Sequence, residues 1–375
     1  MRLLVAPEID LPPTSERTPE IYRRLMKSHE VVGLRPRWDR IIYDVDRSAI
    51  LRFPLYILDK LDLLYRGLQI TKRTKPDVIL CETYHHAMVG VVIGKLRGIP
   101  CVWDSHGNIL LFAKSAGKGP LFTFAAGTIE RLLGRTVAAL ITVSDVDADA
   151  YVRMGVPRER IHVFPSCVDV EEIDRRVQER RRKKVGTPRA GGEAPVILFF
   201  GSFKYEPNRE ALKLLNDVIA PGLARSGIPF RIQVAGRDIP PMDFHPSIEI
   251  LGFVPDIYPC IADADIGIVP IWNGVGILVK ALDMMAVGTP VVAADFLAKG
   301  IPQLQDGIHV LLAETPEKFT ELLSQVARDP GPWQTMGERG KELVTQEYDC
   351  NHCWGTFEAI LIEACKDRSH GVDES

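Results

Sequence analysis

The sequence predicts an α/β protein made of two doubly wound parallel sheets facing a cleft. Three observations lead there. Short apolar runs alternate with helical stretches along most of the 375 residues, as parallel strands joined by crossover helices require. The runs fall into two sets, parted at 175–195 by "RRVQERRRKKVGTPRAGGEAP", which is basic, then Gly/Pro-rich, and without hydrophobic period. The chain is also longer than one core usually serves.

The first set opens at once with "RLLVA" (2–6), followed by "DVIL" (77–80), "PCVWD" (100–104) and "AALITVS" (138–144). Between 77 and 104 the order is strand 78–81, helix 85–97, Gly98 as a stop and strand 100–104. That is one βαβ unit. The second set holds "VILFFGSF" (196–203), "FRIQVAG" (230–236), "IEILGFV" (248–254), "IGIVPI" (266–271) and "PVVAAD" (290–295). Each is a compact run suited to a strand buried on both faces. Helices between them come from "NREALKLLNDVIAPGLA" (208–224) and from residues 274–292, and an amphipathic helix with a polar tail closes the chain. The domains expected are 1–180, a linker at 181–195, 196–345, and a terminal piece at 346–375 that packs back towards the N-terminal domain. The basic run at the linker reads as a solvated helix end. Ligands of such sheets lie at the carboxyl ends of the strands, and a cleft between two of them is the first place to look for chemistry.

Composition narrows the class. The chain is 46% hydrophobic and 25% charged with a net charge of −3, too near balance for nucleic acid as the main partner. Seven cysteines, scattered and odd in number, do not form a disulfide framework and point to a reducing compartment. No apolar stretch reaches the roughly 18 residues a bilayer span needs. "MRLLVAPEID" turns acidic too soon for a signal peptide. A cytoplasmic protein is expected.

The stretch most suggestive of chemistry is "GVGILVKALDMMAVGTPVV" at 274–292. Gly274 and Gly276 stand between a strand and a helix, where glycine allows a close approach and unpaired N–H groups face a ligand. A helix N-terminus suits a phosphate. Lys280 adds a full charge one turn on, and Asp283 follows at i+3, where a carboxylate can take two vicinal hydroxyls. The plain alternative is a glycine-opened helix with an ordinary surface Lys/Asp pair.

This segment resembles the signature of GT-B glycosyltransferases of the retaining family 4 type (glycosyl transferases group 1), with Gly274, Gly276, Ile277, Lys280, Leu282, Asp283, Met285, Ala286, Gly288, Pro290, Val291 and Val292 in the pattern. Other pieces follow in order. "FFGSFKYEPNREALKLL" (199–215) is similar to the family's first C-domain strand and loop, with Gly201 and Asn208 in register, and "LGFVPDIYPCIADADIGIVP" (251–270), holding Phe253 and Val254, is similar to its next conserved segment. "VWDSHG" resembles the strand and histidine, here His106, that face the donor sugar, and "ITVSDVDADAYVRMGVPRERIHVFPSCVD" (141–169) resembles the segment leading to the linker. The resemblance covers residues 76–354. It implies two Rossmann-like domains and transfer of a sugar from a nucleotide diphosphate-sugar, with retention and without metal or other cofactor. The C-terminal domain would hold the donor. Gly276 and the helix start would meet the diphosphate, with Gly201, Ser202, Lys204, Asn208, Arg237, Phe253, Val254, Gly274, Val275 and Ile277 around it. Lys280 would neutralise the charge and Asp283 would take the ribose. His106 would hydrogen-bond the sugar near the reacting centre. Glu82, His85 and His86, after the strand "DVILC", are acceptor-side candidates, against a helix start with solvated imidazoles.

Three places depart from the pattern. Val275 stands where the family often has a first glutamate, with Asp283 eight positions on for the second. Ser202 and Pro207 stand where a cationic pair usually sits, with Lys204 and Arg209 nearby. "PEIDLPPTSERTPE" (7–20) replaces a glycine pair after the first strand. Elsewhere, "CNHC" at 350–353 lacks a second pair for structural zinc. Asp263 and Asp265 suit a turn better than a metal-binding DxD. Asp145, Asp147 and Asp149 suit a helix start. No metal is expected. The reading is a hexosyltransferase-like enzyme of polysaccharide or glycoconjugate biosynthesis, acting on a glycan, lipid-linked or small-molecule acceptor. A non-catalytic scaffold binding a sugar nucleotide, or a nucleotide-sugar epimerase, are the alternatives. "LFTFAAGTIERLLGRTVAALI" (121–141) sets apolar residues beside Arg131 and Arg135, which leaves open either peripheral contact at the inner membrane face or a plain packed helix.

Overall fold

The computed structural model describes residues 1–6, 17–35, 49–115, 119–183, 194–274 and 276–370. The chain forms two compact units, Met1–Pro165 with Trp354–Ser375, and Ser166–Cys353. Each is built on one parallel sheet.

In the first unit the strands are β1 (Arg2–Ala6), β2 (Glu30–Gly33), β3 (Val78–Glu82), β4 (Cys101–Ser105), β5 (Ala139–Thr142) and β6 (Ile161–Val163). They lie in the order β2-β1-β3-β4-β5-β6. β3, β4 and β5 are buried along their whole length, as their unbroken apolar sequence demands. The helices Ala49–Thr74, Thr83–Arg97 and Pro120–Thr136 pack side by side, on the one face that right-handed crossovers allow. Thr83–Arg97 ends at Gly98, in the left-handed region at φ 63°, whose N–H returns to Gly94 O. The last helix, Cys350–His370, sets Phe357 against Phe164 with ring centroids 4.9 Å apart.

The second unit holds β7 (Val196–Ser202), β8 (Arg231–Arg237), β9 (Ile248–Gly252), β10 (Ile266–Val269), β11 (Val291–Ala294) and β12 (Leu311–Ala313), in the order β12-β11-β10-β7-β8-β9. The helix Val170–Lys183, assigned by sequence to the end of the first domain, buries Val170, Ile173 and Val177 in this unit's core. Most of the expected linker, 184–193, lies outside the described residues. Arg180 of that helix pairs with Asp263 at 2.7 Å, and Asp265 accepts from Val196 N at 2.7 Å. Both aspartates are thus structural. The stretch 208–224 is not one regular helix. It runs as Glu206–Leu214, a π-helical turn Leu215–Ile219, and Ala220–Arg225, because Pro221 lacks the N–H that a continuous ladder needs.

The cysteines correct one expectation. Cys167 and Cys350 form a disulfide across 183 positions, a separation at which no spacing pattern is visible. Cys350 and Cys353 therefore do not act as a pair, and the buried Cys353 thiol donates instead to Glu347 O at 3.4 Å. Beside the disulfide, Val168 N donates to Tyr348 O and Cys350 N to Val168 O, each at 2.9 Å.

Candidate active site

In the second unit the strand order reverses between β7 and β10, and the carboxyl ends of strands at such a reversal are where open α/β sheets bind ligands. Two helices start there, Glu206–Leu214 after β7 and Val279–Val287 after β10. The second begins later than expected from the glycines, so Lys280 lies in its first turn. Among the described residues no side chain caps that N-terminus, and Gly276, just ahead of it, sits at φ 70°, a conformation an L side chain rarely takes.

Lys280 is drawn inwards from the helix start. Its Nζ donates to Asn208 Oδ1 at 2.6 Å and stands 4.8 Å from the centre of the Phe199 ring. Asn208 is buried and donates in turn to Ser202 O at 2.7 Å. A Cβ on Gly201 would lie 2.9 Å from Lys280 Nζ and 2.7 Å from Asn208 Nδ2, so only glycine leaves the ammonium this place. Burial pushes the Lys280 ammonium down to about 7. Among the described residues no carboxylate pairs with it.

Asp283 is 5% exposed and accepts from the Tyr258 hydroxyl at 3.0 Å. Burial pushes its carboxyl up to about 7, with the Tyr258 hydrogen bond pulling the other way. Lys280 and Asp283 are therefore not the ordinary surface pair that the sequence left open. Tyr258, which opens a short helix after β9, was not picked out from sequence.

Around this centre the candidates divide. Arg237, at the end of β8, holds its guanidinium 4.0 Å from the ring centre of exposed Phe253, and Val254 follows it, half-buried, in the loop after β9. Ser202 and Lys204 are exposed at the end of β7. Arg209 is taken up locally by Phe203 O at 3.2 Å and by an ion pair with Glu206. A Cβ on Gly274 would lie 3.3 Å from Tyr205 Oη and 3.2 Å from the Phe296 ring, which puts this glycine under two aromatic side chains. Ile277 packs on the core. Val275 lies outside the described residues.

In the first unit His106 follows β4, with Nε2 3.5 Å from Asp104 Oδ2. Buried acids hold its loop. Glu130 accepts from Ile109 N at 2.8 Å, Leu110 N at 3.0 Å and the Tyr151 hydroxyl at 2.8 Å. That tyrosine oxygen is also 2.8 Å from Ser105 Oγ. Asp147, in the first turn of the helix Asp145–Arg153 that Ser144 caps, accepts from Ser144 Oγ at 2.7 Å and from Asn108 N at 3.4 Å. Burial raises both carboxyls above the ordinary range.

Glu82 ends β3, and the two histidines after it part ways. His86 is buried, with Nδ1 2.8 Å from Glu82 O, so it closes the turn. His85 is half-buried, 2.7 Å from the Tyr56 hydroxyl and against the Tyr84 ring, tilted by 40° with centroids 3.6 Å apart. Neither is the freely solvated imidazole of a plain helix start. Between Glu82 and the histidines, Thr83 sits at φ 64°, strained for a β-branched residue. The turn lies where this sheet's order reverses, between β1 and β3. Nothing in the sequence marks that strain.

Comparison with known proteins agrees with this geometry. Residues 194–329 match the family described as "Glycosyl transferases group 1", and residues 12–167 match "Glycosyl transferase 4-like domain". No curated protein sequence matches the chain. Among solved structures it is similar to Anabaena HepE in complex with UDP-glucose, with 14% identity, all of both chains covered and a TM-score of 0.66. Sucrose-phosphate synthase from Thermosynechococcus elongatus is also 14% identical over all of both chains, with a TM-score of 0.69. A glycosyltransferase from Rickettsia africae is 13% identical, with 97% of this chain and 98% of that one covered and a TM-score of 0.67. At such identities the likeness is one of fold.

Proposed function

Because the chain belongs to the GT-B group 1 glycosyltransferases, we propose that it moves a sugar from a nucleoside diphosphate-sugar to an acceptor, with retention at the anomeric carbon and without a metal. The observation that carries this reading is the Lys280 ammonium, seated against Gly201 with no carboxylate partner among the described residues. A diphosphate gains negative charge as the glycosidic bond breaks, so a preorganised cation beside a helix N-terminus lowers the barrier. Gly276 lets the backbone come close to the phosphates. Asp283 keeps Oδ2 for the ribose hydroxyls while Tyr258 holds Oδ1. Arg237 and Phe253 offer a flat cationic edge to the base. His106, backed by Asp104, hydrogen-bonds the sugar. His85 is the acceptor-side group.

HepE's complex with UDP-glucose makes UDP-hexoses the first donors to try. The test is donor hydrolysis and transfer over a nucleotide-sugar panel, with chelator present and the product anomer read by NMR. Turnover that survives the chelator, keeps the donor's anomeric configuration and is lost in His106→Ala supports the proposal. An inverted product sinks retention. Donor binding with no turnover across donors and acceptors would favour a sugar-nucleotide-binding scaffold, a reading that Val275 in the place of the family's first glutamate keeps alive.

A further inference from the structure

We propose that the three packed helices of the first unit form a face that docks on an anionic lipid bilayer. The outer stripe of Ala49–Thr74 carries Leu58, Leu61 and Tyr65, the last 65% exposed. On Thr83–Arg97 the stripe is Met88, Val92 and Leu96, with Leu96 64% exposed. Leu121, Phe124 and Leu132 continue it on Pro120–Thr136, at 81%, 74% and 61% exposed. Thr83–Arg97 packs against both neighbours, and a Cβ on Gly67 would lie 2.3 Å from Ile93 Cδ1, so two of the helices meet closely. The stripes therefore adjoin. An apolar surface of this breadth on a soluble fold marks an interaction site.

Charge selects the occupant. Lys72, Arg73, Lys95, Arg97, Arg131 and Arg135 are exposed on the same three helices. The acids there are withdrawn: Asp59 and Glu130 are fully buried, and Asp62 is paired with Arg66 at 2.7 Å. All but Arg131 lie in the last turn of their helix, where cations suit the helix dipole, which explains their position but not the lack of exposed free acids. A second copy of this chain would bring six cations against six. An anionic bilayer takes the apolar stripes into its interface and the cations at its headgroups. Docking does not depend on which reaction the protein performs.

Co-sedimentation of the full chain with phosphatidylcholine vesicles, with and without phosphatidylglycerol, tests the proposal. The chain should bind the anionic vesicles at low salt, leave them at high salt, and stay free of pure phosphatidylcholine. Arg131→Gln with Arg135→Gln should weaken binding about thirtyfold, as two cations near such a surface imply. Leu121→Ser with Phe124→Ser should abolish it, and both variants should melt like the parent. A chain that ignores anionic vesicles at low salt overturns the proposal, as does equal binding to neutral ones. Undiminished binding of the variants overturns it too. A dimer in ultracentrifugation that Leu121→Ser with Phe124→Ser splits would assign the face to a second copy and overturn it as well.

Discussion

An ammonium in an apolar corner is charged only at a cost. Lys280, at about 7 in the folded chain, keeps its proton to about 10.4 when unfolded. Between those values the unfolded chain binds more protons, so this group makes stability rise with pH, and its cost is full below pH 7. Asp283 works the other way. Raised to about 7, it makes stability fall as pH climbs from the ordinary carboxylate range, near 3.9, to 7. Lys280→Met should therefore hold or raise the melting midpoint at pH 6 while cutting turnover by about a hundredfold to a thousandfold. A lowered midpoint with turnover kept would remove the lysine from the site. An arriving diphosphate favours the charged lysine, so UDP affinity should drop about tenfold per pH unit above 7. Calorimetry over that range should show the slope, and Lys280→Met should flatten it. These residues were partly legible in advance. The glycines, Lys280 and Asp283 stand in a spaced pattern along one strand–helix junction. Tyr258 and Phe199 were not, because nothing local in a sequence says which distant aromatic ring will border a charge.

Among elements, the loop after β4 leans most on one of its two buried acids. Glu130 offers both oxygens to the start of the helix Ile109–Ser115 and also takes the Tyr151 hydroxyl. Glu130→Ala would leave two amides and a hydroxyl without their acceptor in the interior, at roughly 3–5 kcal/mol. Glu130→Gln keeps one acceptor oxygen and should cost less. Thermal melts of the two variants decide the order, and equal small losses would mean the network is not what fixes the loop. The long buried strands could be read directly from sequence, since "VILFF", "IGIV" and "PVVAA" have no polar face to leave outside. The short strands β2, β6 and β12 were not named. Each has three or four residues and lies at the edge of its sheet, where the apolar run is too brief to stand out. The burial of His86, an acceptor-side candidate or a solvated imidazole by sequence, was not legible for a similar reason: it comes from the turn at Thr83, whose backbone conformation no residue type announces.

At the scale of the whole molecule, the second unit is closed on itself by a covalent bond that its composition hid. The Cys167–Cys350 link closes a loop of 183 positions, for which chain entropy allows about 5 kcal/mol of stabilisation. Cys167→Ser should lower the unfolding midpoint of residues 166–353 in air, and a reductant should bring the parent down to the variant's value. No difference in air would show that the thiols stay apart in solution. The bond has a further consequence. Strand exit and strand entry of the segment 166–353 are stitched at Val168 and Asp349, so the polypeptide comes in and goes out through one doorway. A stretch with such a doorway behaves as a cassette. Cut free at 166 and 353, it should fold by itself and carry the proposed nucleotide site with it, ready to be grafted into another host.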